Sequence, residues 1–176
     1  MPVVLAIDPS IKRTGWACGA PGTVPATGYL RFAKVGASDD VIGGEALKWL
    51  TARIKEFGVT DIAIEAPFLG GDEGTTSRTL MGLYALNVVL RVGARLKLGK
   101  SPLIIAPSTA RKALTGKGRF EKGEAKGAVK DACAALGWVG QDDPDDVSDA
   151  LAIWAAAAMK IDPAFAASFT PLMRAS

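Results

Sequence analysis

The chain contains no histidine among its 176 residues, and this absence excludes more chemistry than any other feature of its composition. Without an imidazole the chain has no Ser-His or Cys-His triad, no histidine-ligated zinc and no histidine general base for a nuclease. Catalysis in this chain therefore has to depend on carboxylates, hydroxyls, lysines or a bound metal ion.

Cysteine and long apolar runs are also scarce. The two cysteines, Cys18 and Cys133, lie in apolar or alanine-rich sequence and make no disulfide framework, which fits a reducing compartment. Gly, Arg or Lys interrupts the apolar segments before they reach the ~20 residues of a membrane span. The N-terminus lacks the basic and apolar regions of a cleaved leader. We therefore expect a cytoplasmic protein that makes no membrane contact.

The net charge of +3 is small, but the charges are unevenly distributed. Seven basic and two acidic residues lie within 111–130, whereas five aspartates and no base lie within 138–150. Such separation suits an anionic ligand held beside a cation site. Because hydrophobic residues make up 49% of the chain and its length is close to that of one domain, we expect residues 1–176 to form a single folded domain.

The alternation of apolar runs with turn residues predicts an α/β domain. Strands are predicted at about 3–8, 14–19, 26–34, 60–67 and 102–107. Helices are predicted at about 41–57, 75–97, 107–114 and 122–136, and from Asp143-Pro144 onwards. Three strands followed by strands that alternate with helices predict a mixed sheet flanked by helices.

The predicted helix 75–97 is apolar on more than one side. Its apolar residues follow one another closely: Met81, Leu83, Tyr84, Leu86, Val88, Val89 and Leu90. A surface helix normally shows one apolar stripe, so the second side should pack on something further. Either the helix is wholly inside the core or it forms a homodimer interface, and we favour the homodimer.

Four acidic residues are placed where they can meet. Asp8 ends the first predicted strand and Glu65 ends the fourth, while Asp146 and Asp149 are three residues apart on the last helix. If the two strands are parallel, both carboxylates lie at the same edge of the sheet, where ligand sites of open α/β sheets occur. The sequence therefore predicts a cluster of four carboxylates.

Crowded carboxylates repel one another unless cations join them, and oxygen ligands favour Mg²⁺ or Mn²⁺. Two such ions ~4 Å apart promote phosphodiester hydrolysis. Alone, Asp8 also fits an Asx turn, and Asp146 and Asp149 also fit the electrostatics of a helix N-terminus. Glu65 is harder to explain without a partner, because a buried strand end rarely carries a charge. The prediction of a metal site therefore depends on all four acids occurring together.

A glycine-containing loop carries Lys117, Arg119 and Lys122, which fit either phosphate contact or a solvated basic loop. Phe68, beside Gly70 and Gly71, fits either a base-stacking wedge or an apolar plug under its loop. Lys12 and Arg13 are weaker candidates that also fit ordinary surface charge.

Four segments together resemble the motifs of the RuvC Holliday-junction resolvases. AIDPSIKRTGWA resembles the first motif, and IEAPF resembles the second, in which an aromatic follows the strand-ending Glu. RKALTGKGRFEK resembles the family's basic segment, and DDVSDALAIW resembles its terminal motif. The motifs occur in the family's order and cover most of 1–160.

The resemblance implies an RNase H-like fold with a five-stranded mixed sheet, a homodimer, and Mg²⁺-dependent nicking of two opposed strands at a four-way junction, with two ions per site. It places Asp8, Glu65, Asp146 and Asp149 on the family's metal-binding acids, and Lys122 close to catalysis. It also places Phe68 on an aromatic that stacks near the junction's opened base pairs, and Arg111 and Lys122 on basic positions that contact phosphate. With Lys112, Lys117 and Arg119 of the same basic segment, Phe68 and Arg111 are the predicted DNA-contacting residues.

Ser10 stands where the family has Gly, and Ala66 and Pro67 follow Glu65. These departures leave open the cutting sequence and the strictness for four-way junctions, so a nuclease for other branched DNA or for RNA–DNA hybrids is an alternative. A non-catalytic junction binder fits less well, because all four acids are intact. An actin-like ATP-binding fold needs a second domain. The sequence identifies no partner helicase and does not separate a bacterial from a phage origin.

Overall fold

Five strands form one mixed sheet in this computed structural model, which describes residues 1–67, 76–140 and 142–169. The strands are β1 Val4–Asp8, β2 Thr14–Gly19, β3 Ala26–Leu30, β4 Asp61–Glu65 and β5 Leu103–Ile105. Their order across the sheet is β3-β2-β1-β4-β5. The first three strands form an antiparallel meander, and β4 and β5 extend the sheet parallel to β1.

Helices cover both faces of the sheet. They are α1 Asp39–Phe57, α2 Ser77–Leu98, α3 Pro107–Thr115, α4 Glu124–Ala135, α5 Asp145–Ile161 and α6 Pro163–Ser168. One core cluster joins α1 and α2 to the sheet, and a second cluster on the opposite face joins it to α3, α4 and α5. The predicted mixed sheet with flanking helices is therefore confirmed.

Most predicted elements lie close to their observed positions. Gly58 ends α1 in the left-handed conformation, with φ of 62°, as its place after the helix predicted. The third strand is shorter than predicted, since β3 ends at Leu30. The chain then leaves the sheet so that Phe32 becomes buried, with its ring 5.7 Å from that of Trp49 on α1. The sequence analysis missed α6, whose first turn is capped by the Asp162 carboxylate.

The central strand β1 is buried on both faces. Leu5 and Ile7 pack towards α1 and α2, whereas Val4 and Ala6 pack towards α5, and all four are inaccessible to solvent. A strand with both faces covered carries a continuous apolar run instead of an alternating one. Asp8 is the first residue of this strand that reaches the carboxyl edge of the sheet.

Helix α5 lies directly on β1 and β2. Alanines make up much of its length and are buried, which allows the helix to approach the sheet closely. Its Trp154 indole N–H donates to the carbonyl oxygen of Gly19, at 3.3 Å. At the other end of the helix, a Cβ built on Gly15 would lie 1.9 Å from the backbone oxygen of Asp146. Gly15 therefore permits the contact that positions the start of α5.

Helix α2 is only partly covered. Leu86 and Leu90 are buried, whereas an exposed stripe runs along the helix through Met81, Tyr84, Val88, Val92 and Leu96. The alternative in which this helix lies wholly inside the core is therefore wrong.

Helix α2 is also the one helix in the described part of the chain that is long and apolar enough to span a membrane. Its most apolar 18-residue stretch has a mean hydropathy of 1.2, and a third of that stretch is buried in the fold. These two properties do not separate such a helix from one that packs within a fold.

The contact between Gly15 and α5 yields a stability prediction. Replacing Gly15 with Ala should destabilise the protein by about 1–3 kcal/mol or more, because the new Cβ meets backbone that no rotamer change can move. In a chain of this size that corresponds to a melting temperature lower by about 2–12 °C.

Gly127→Ala is the matched control, because Gly127 lies in α4 and a Cβ there meets nothing within 4 Å. It should stabilise the protein by about 0.5–1 kcal/mol through helix propensity. Thermal unfolding followed by circular dichroism measures both variants. Equal melting temperatures for the two would show that α5 does not depend on this contact.

Candidate active site

Asp8, Glu65 and Asp149 come together at the carboxyl edge of the sheet. Strand β1 is parallel to β4 with Ile7 opposite Ile64, so the acids that end the two strands are neighbours. The Asp8 and Glu65 carboxyls are close enough for each to influence the ionisation of the other. Asp149 lies just after the first turn of α5, and its charge acts on both carboxyls. Three of the four predicted acids therefore form one group.

Burial and mutual repulsion govern the ionisation of this group. Burial is the largest cause that raises the pKa of Asp8 well above its ordinary value, followed by the charges of Glu65 and Asp149. Burial and the charge of Asp149 also raise the pKa of Glu65. Burial again raises the pKa of Asp149, although the charges of Lys126 and Arg111 act in the opposite direction. Ionising all three carboxyls therefore costs free energy.

Two cations stand beside the acids. Arg111 on α3 lines a cleft of about 550 Å³ together with Glu65, Ser108 and Asp149. Lys126 on α4 acts on Asp149 from a second helix. Because α3 and α4 both pack with α5, the acids have one cationic side, formed by the helices on that face of the sheet.

Asp146 lies next to this group and is paired with Arg13. The Arg13 guanidinium, from the turn between β1 and β2, donates from Nε to Oδ2 of Asp146. The same guanidinium lies 5.5 Å from the centre of the Tyr29 ring. The charge of Asp146 nevertheless raises the pKa of Asp8 and of Asp149, as the last of several causes at each residue. Asp146 therefore lies beside the other three acids while it pairs with Arg13, and its role as a metal ligand stays a prediction.

The described residues contain no group of three or more His, Cys, Asp or Glu side chains arranged to hold a metal ion. The carboxylates of Asp8, Glu65 and Asp149 interact electrostatically without forming such a cage. The sequence therefore located these acids at one edge of the sheet, and their binding of a metal ion stays a prediction.

The predicted DNA-contacting residues are spread more widely than the acids. Arg111 lies in the carboxylate cleft, but Lys112 faces another cavity, of about 650 Å³, that α5 and α6 also line. The Lys117 ammonium lies 5.3 Å from the centre of the Phe120 ring. Arg119 and Lys122 are exposed in the segment before α4. Phe68 lies outside the described residues. These roles remain predictions.

Two residues at the site were not selected from the sequence. Asn87 is buried in α2, and its side-chain amide donates to the backbone carbonyl of Glu65 at 3.0 Å, which fixes the end of β4. An asparagine within an otherwise apolar helical run was the available indication. Lys126 was counted only as part of a basic segment. Its place one helical turn beyond Lys122 gave no sign that it would act on Asp149.

The fold is similar to three solved structures. T. thermophilus RuvC in complex with Holliday junction substrate has a TM-score of 0.69 at 18% identity, covering 92% of this chain and 96% of that chain. The Thermus thermophilus RuvC structure has a TM-score of 0.68 at 20% identity, covering 90% and 95%. The yeast mitochondrial Holliday junction resolvase Ydc2 has a TM-score of 0.55 at 14% identity, covering 95% and 84%.

No protein-family model and no curated protein sequence matches the chain. The likeness is therefore one of fold, and it confirms the expected RNase H-like architecture over nearly the whole chain. It also agrees with the family whose motifs the sequence resembles.

The raised pKa of Asp8 predicts a pH-dependent effect of removing its charge. Because the folded-state pKa lies above the unfolded-state value, ionised Asp8 destabilises the folded protein at alkaline pH. This penalty disappears as the pH falls through the folded-state pKa. Asp8→Asn should therefore raise the melting temperature at pH 9 in chelator, with a gain that shrinks towards pH 5.

Each kcal/mol of stability corresponds to about 2–4 °C in melting temperature in a chain of this length. Asp131→Asn, at an exposed position of α4, is the control and should leave the melting temperature nearly unchanged. Calorimetry between pH 5 and pH 9 measures both variants. A gain for Asp8→Asn that is the same at every pH would contradict the repulsion described here.

Proposed function

We propose that the chain is a metal-dependent, structure-selective DNA endonuclease that nicks two opposed strands of a four-way junction. The observation that carries this proposal is the meeting of Asp8, Glu65 and Asp149 at one edge of the sheet, with Arg111 in the same cleft. The fold is that of RuvC, and the T. thermophilus protein has been solved with a Holliday junction substrate. That complex favours branched DNA as the substrate class.

The donor set fits a hard divalent cation. It consists of carboxylate oxygens, it is partly buried, and its members repel one another, so positive charge placed among them would be stabilising. Asp8, Glu65 and Asp149 would hold the ion, with Asp146 as a further ligand once it leaves Arg13. We propose Mg²⁺, replaceable by Mn²⁺, with two ions per site.

When bound, such ions activate a water molecule and stabilise the leaving oxygen of a phosphodiester. The protein's own residues orient the participants. Asn87 holds the carbonyl of Glu65 and so fixes the end of β4. Arg111 partly offsets the acids' charge and lies in the cleft that a phosphate would enter. Lys117, Arg119 and Lys122 would approach the neighbouring backbone from the loop before α4.

Loss of the Asp8 carboxylate should stop cleavage without abolishing binding. Asp8→Asn removes a proposed ligand, so nicking of a labelled four-way junction in Mg²⁺ should fall by at least about 100-fold. Binding in chelator should change little, because the acids do not hold phosphate directly. Asp131→Asn should cut at the unmodified rate. Full activity of Asp8→Asn would refute the assignment.

The same assay with a substrate panel tests the selectivity. Four-way, three-way and linear duplex DNA and an RNA–DNA hybrid should be incubated with Mg²⁺, Mn²⁺ or chelator. Symmetric paired nicks in the four-way substrate, lost in chelator, are the expected result. Preferential cutting of the hybrid would indicate a ribonuclease activity instead. Cutting in the presence of chelator would contradict the proposed metal dependence.

Paired nicks require two active sites in one assembly, and we propose that the chain forms a homodimer through α2. Its exposed stripe begins at Met81 and ends at Leu96, whose side chains are 72% and 77% exposed. Exposed apolar residues at helical spacing over about four turns are typical of an interface between helices. A hollow of about 400 Å³ beside Val88 and Val92 continues this surface.

Placing a charge in the stripe should separate the protomers. Val88→Arg should reduce the mass measured by light scattering at micromolar concentration from twice 18.2 kDa to 18.2 kDa, because a guanidinium would be buried at the contact. It should also convert paired nicks into single nicks. Val24→Arg, at an exposed position between β2 and β3, is the control and should leave the mass unchanged. A monomeric mass for the unmodified protein would count against the dimer.

A further inference from the structure

A second basic surface lies across the sheet from Arg111 and Lys126. It is a cleft of about 400 Å³ formed by the turn between β1 and β2, the segment after β3 and the N-terminal ends of α1 and α2. Four exposed cations line it: Lys12, Arg31, Lys34 and Arg78. Within the described lining there is one carboxylate, that of Asp39, so the cleft carries an excess of positive charge.

Hydrogen bonds to the backbone hold the segments that form the cleft in fixed positions. The Arg31 guanidinium donates from Nε to the carbonyl oxygen of Lys12 at 2.9 Å, which ties the segment after β3 to the turn. Within the turn, the Ser10 hydroxyl accepts from the backbone N–H of Lys12 and of Arg13. Ile11 packs into the core cluster shared with α1 and α2. The turn that carries Lys12 is therefore held in place from both sides.

Gly82 brings α2 close to this turn. A Cβ built on Gly82 would lie 3.7 Å from Ile11 and 3.4 Å from the carboxylate of Asp39. Helix α2 begins next to the cleft and has no acidic residue in its first turn. The positive end of a helix of 22 residues therefore adds to the charge of the side chains.

The turn also connects the cleft to the carboxylates. Asp8 begins it, Arg13 contacts Asp146, and Lys12, between them, lines the cleft. Because four residues span at most about 14 Å, the Cα atoms of Lys12 and Asp8 are no further apart than that. A DNA strand whose reacting phosphate lies at the acids would therefore pass within reach of the cleft.

We propose that this cleft binds a phosphate of the DNA strand that flanks the scissile phosphate, on the side of the sheet opposite Arg111. The inference rests on the nuclease function proposed above and extends it to a second contact surface. The described lining contains no aromatic ring on which a base could stack. The ligand is therefore the phosphodiester backbone, bound without regard to sequence.

Neutralising two of the cations tests the proposal through the salt dependence of binding. Lys12→Ala/Lys34→Ala should weaken binding of a fluorescent four-way junction in chelator. If each lysine neutralises one phosphate, the slope of log K against log [salt] should become shallower by about 1.8. Lys12→Arg/Lys34→Arg should retain the unmodified slope, because the charge is kept.

The matched control is Lys55→Ala/Lys160→Ala, which removes the same charge. Both lysines are exposed near the C-terminal ends of α1 and α5, whose N-terminal ends lie at the cleft and at the acids. This pair should leave the slope unchanged, and the melting temperatures of both double variants should stay close to that of the unmodified protein. Equal slopes for the two alanine pairs would overturn the cleft proposal.

The outcomes separate this proposal from the nuclease function. If the unmodified protein binds and cuts the junction but the two alanine pairs behave alike, the cleft is not a contact surface and the nuclease function stands. If the unmodified protein neither binds nor cuts branched DNA, the nuclease function fails and the cleft proposal fails with it.

Neutral methylphosphonates placed one at a time beside the scissile phosphate locate the contact. At the phosphate held by the cleft, the substitution should weaken binding of the unmodified protein but should add little to the loss already caused by Lys12→Ala/Lys34→Ala. If each neutralised phosphate weakens junction binding by the unmodified protein and by Lys12→Ala/Lys34→Ala to the same extent, the cleft holds no backbone phosphate near the acids.

Discussion

The parallel pairing of β1 with β4 is the constraint on which the candidate site depends. It sets the two strand-ending acids side by side, and Asp8 follows four fully buried residues, so that burial raises the free-energy cost of its charge. The arrangement is unfavourable in isolation, so the carboxyls have raised pKa values despite Arg111 nearby. A bound cation would relieve this repulsion.

Helix α5 adds the third acid, and its close approach to the sheet decides which acid that is. The contact at Gly15 brings the start of the helix against β2, with Asp149 one turn further along and facing the group. Asp146 instead meets Arg13, which arises from the turn that Asp8 begins. Arg13 and an incoming cation would thus compete for the same carboxylate. The guanidinium partly neutralises Asp146, as a bound cation would.

The sequence predicted the features that depend on chain direction and periodicity, and it missed those that depend on packing between distant elements. Asp8 and Glu65 were identifiable because apolar runs end on them and parallel strands share an edge. The pairing of Asp146 with Arg13 joins residues 133 apart, and the hydrogen bond from Asn87 to Glu65 crosses from a helix to a strand. Neither follows from local pattern. The sequence also did not show that Arg111 and Lys112 line different cavities, because adjacent residues on a helix such as α3 face different directions.

Helix α2 contributes to both the basic cleft and the exposed apolar stripe. Its N-terminal end lines the basic cleft through Arg78, while its exposed apolar stripe runs from Met81 to Leu96 along the same helix. If a second copy packs on this stripe, the N-terminal end of each α2 is fixed relative to its counterpart, and so are the two clefts. The separation of the two carboxylate groups then follows from the geometry of one helix contact. Selectivity for a branched substrate would arise from that spacing, because a phosphate-binding surface that ignores base identity can still distinguish the directions in which duplex arms leave a junction.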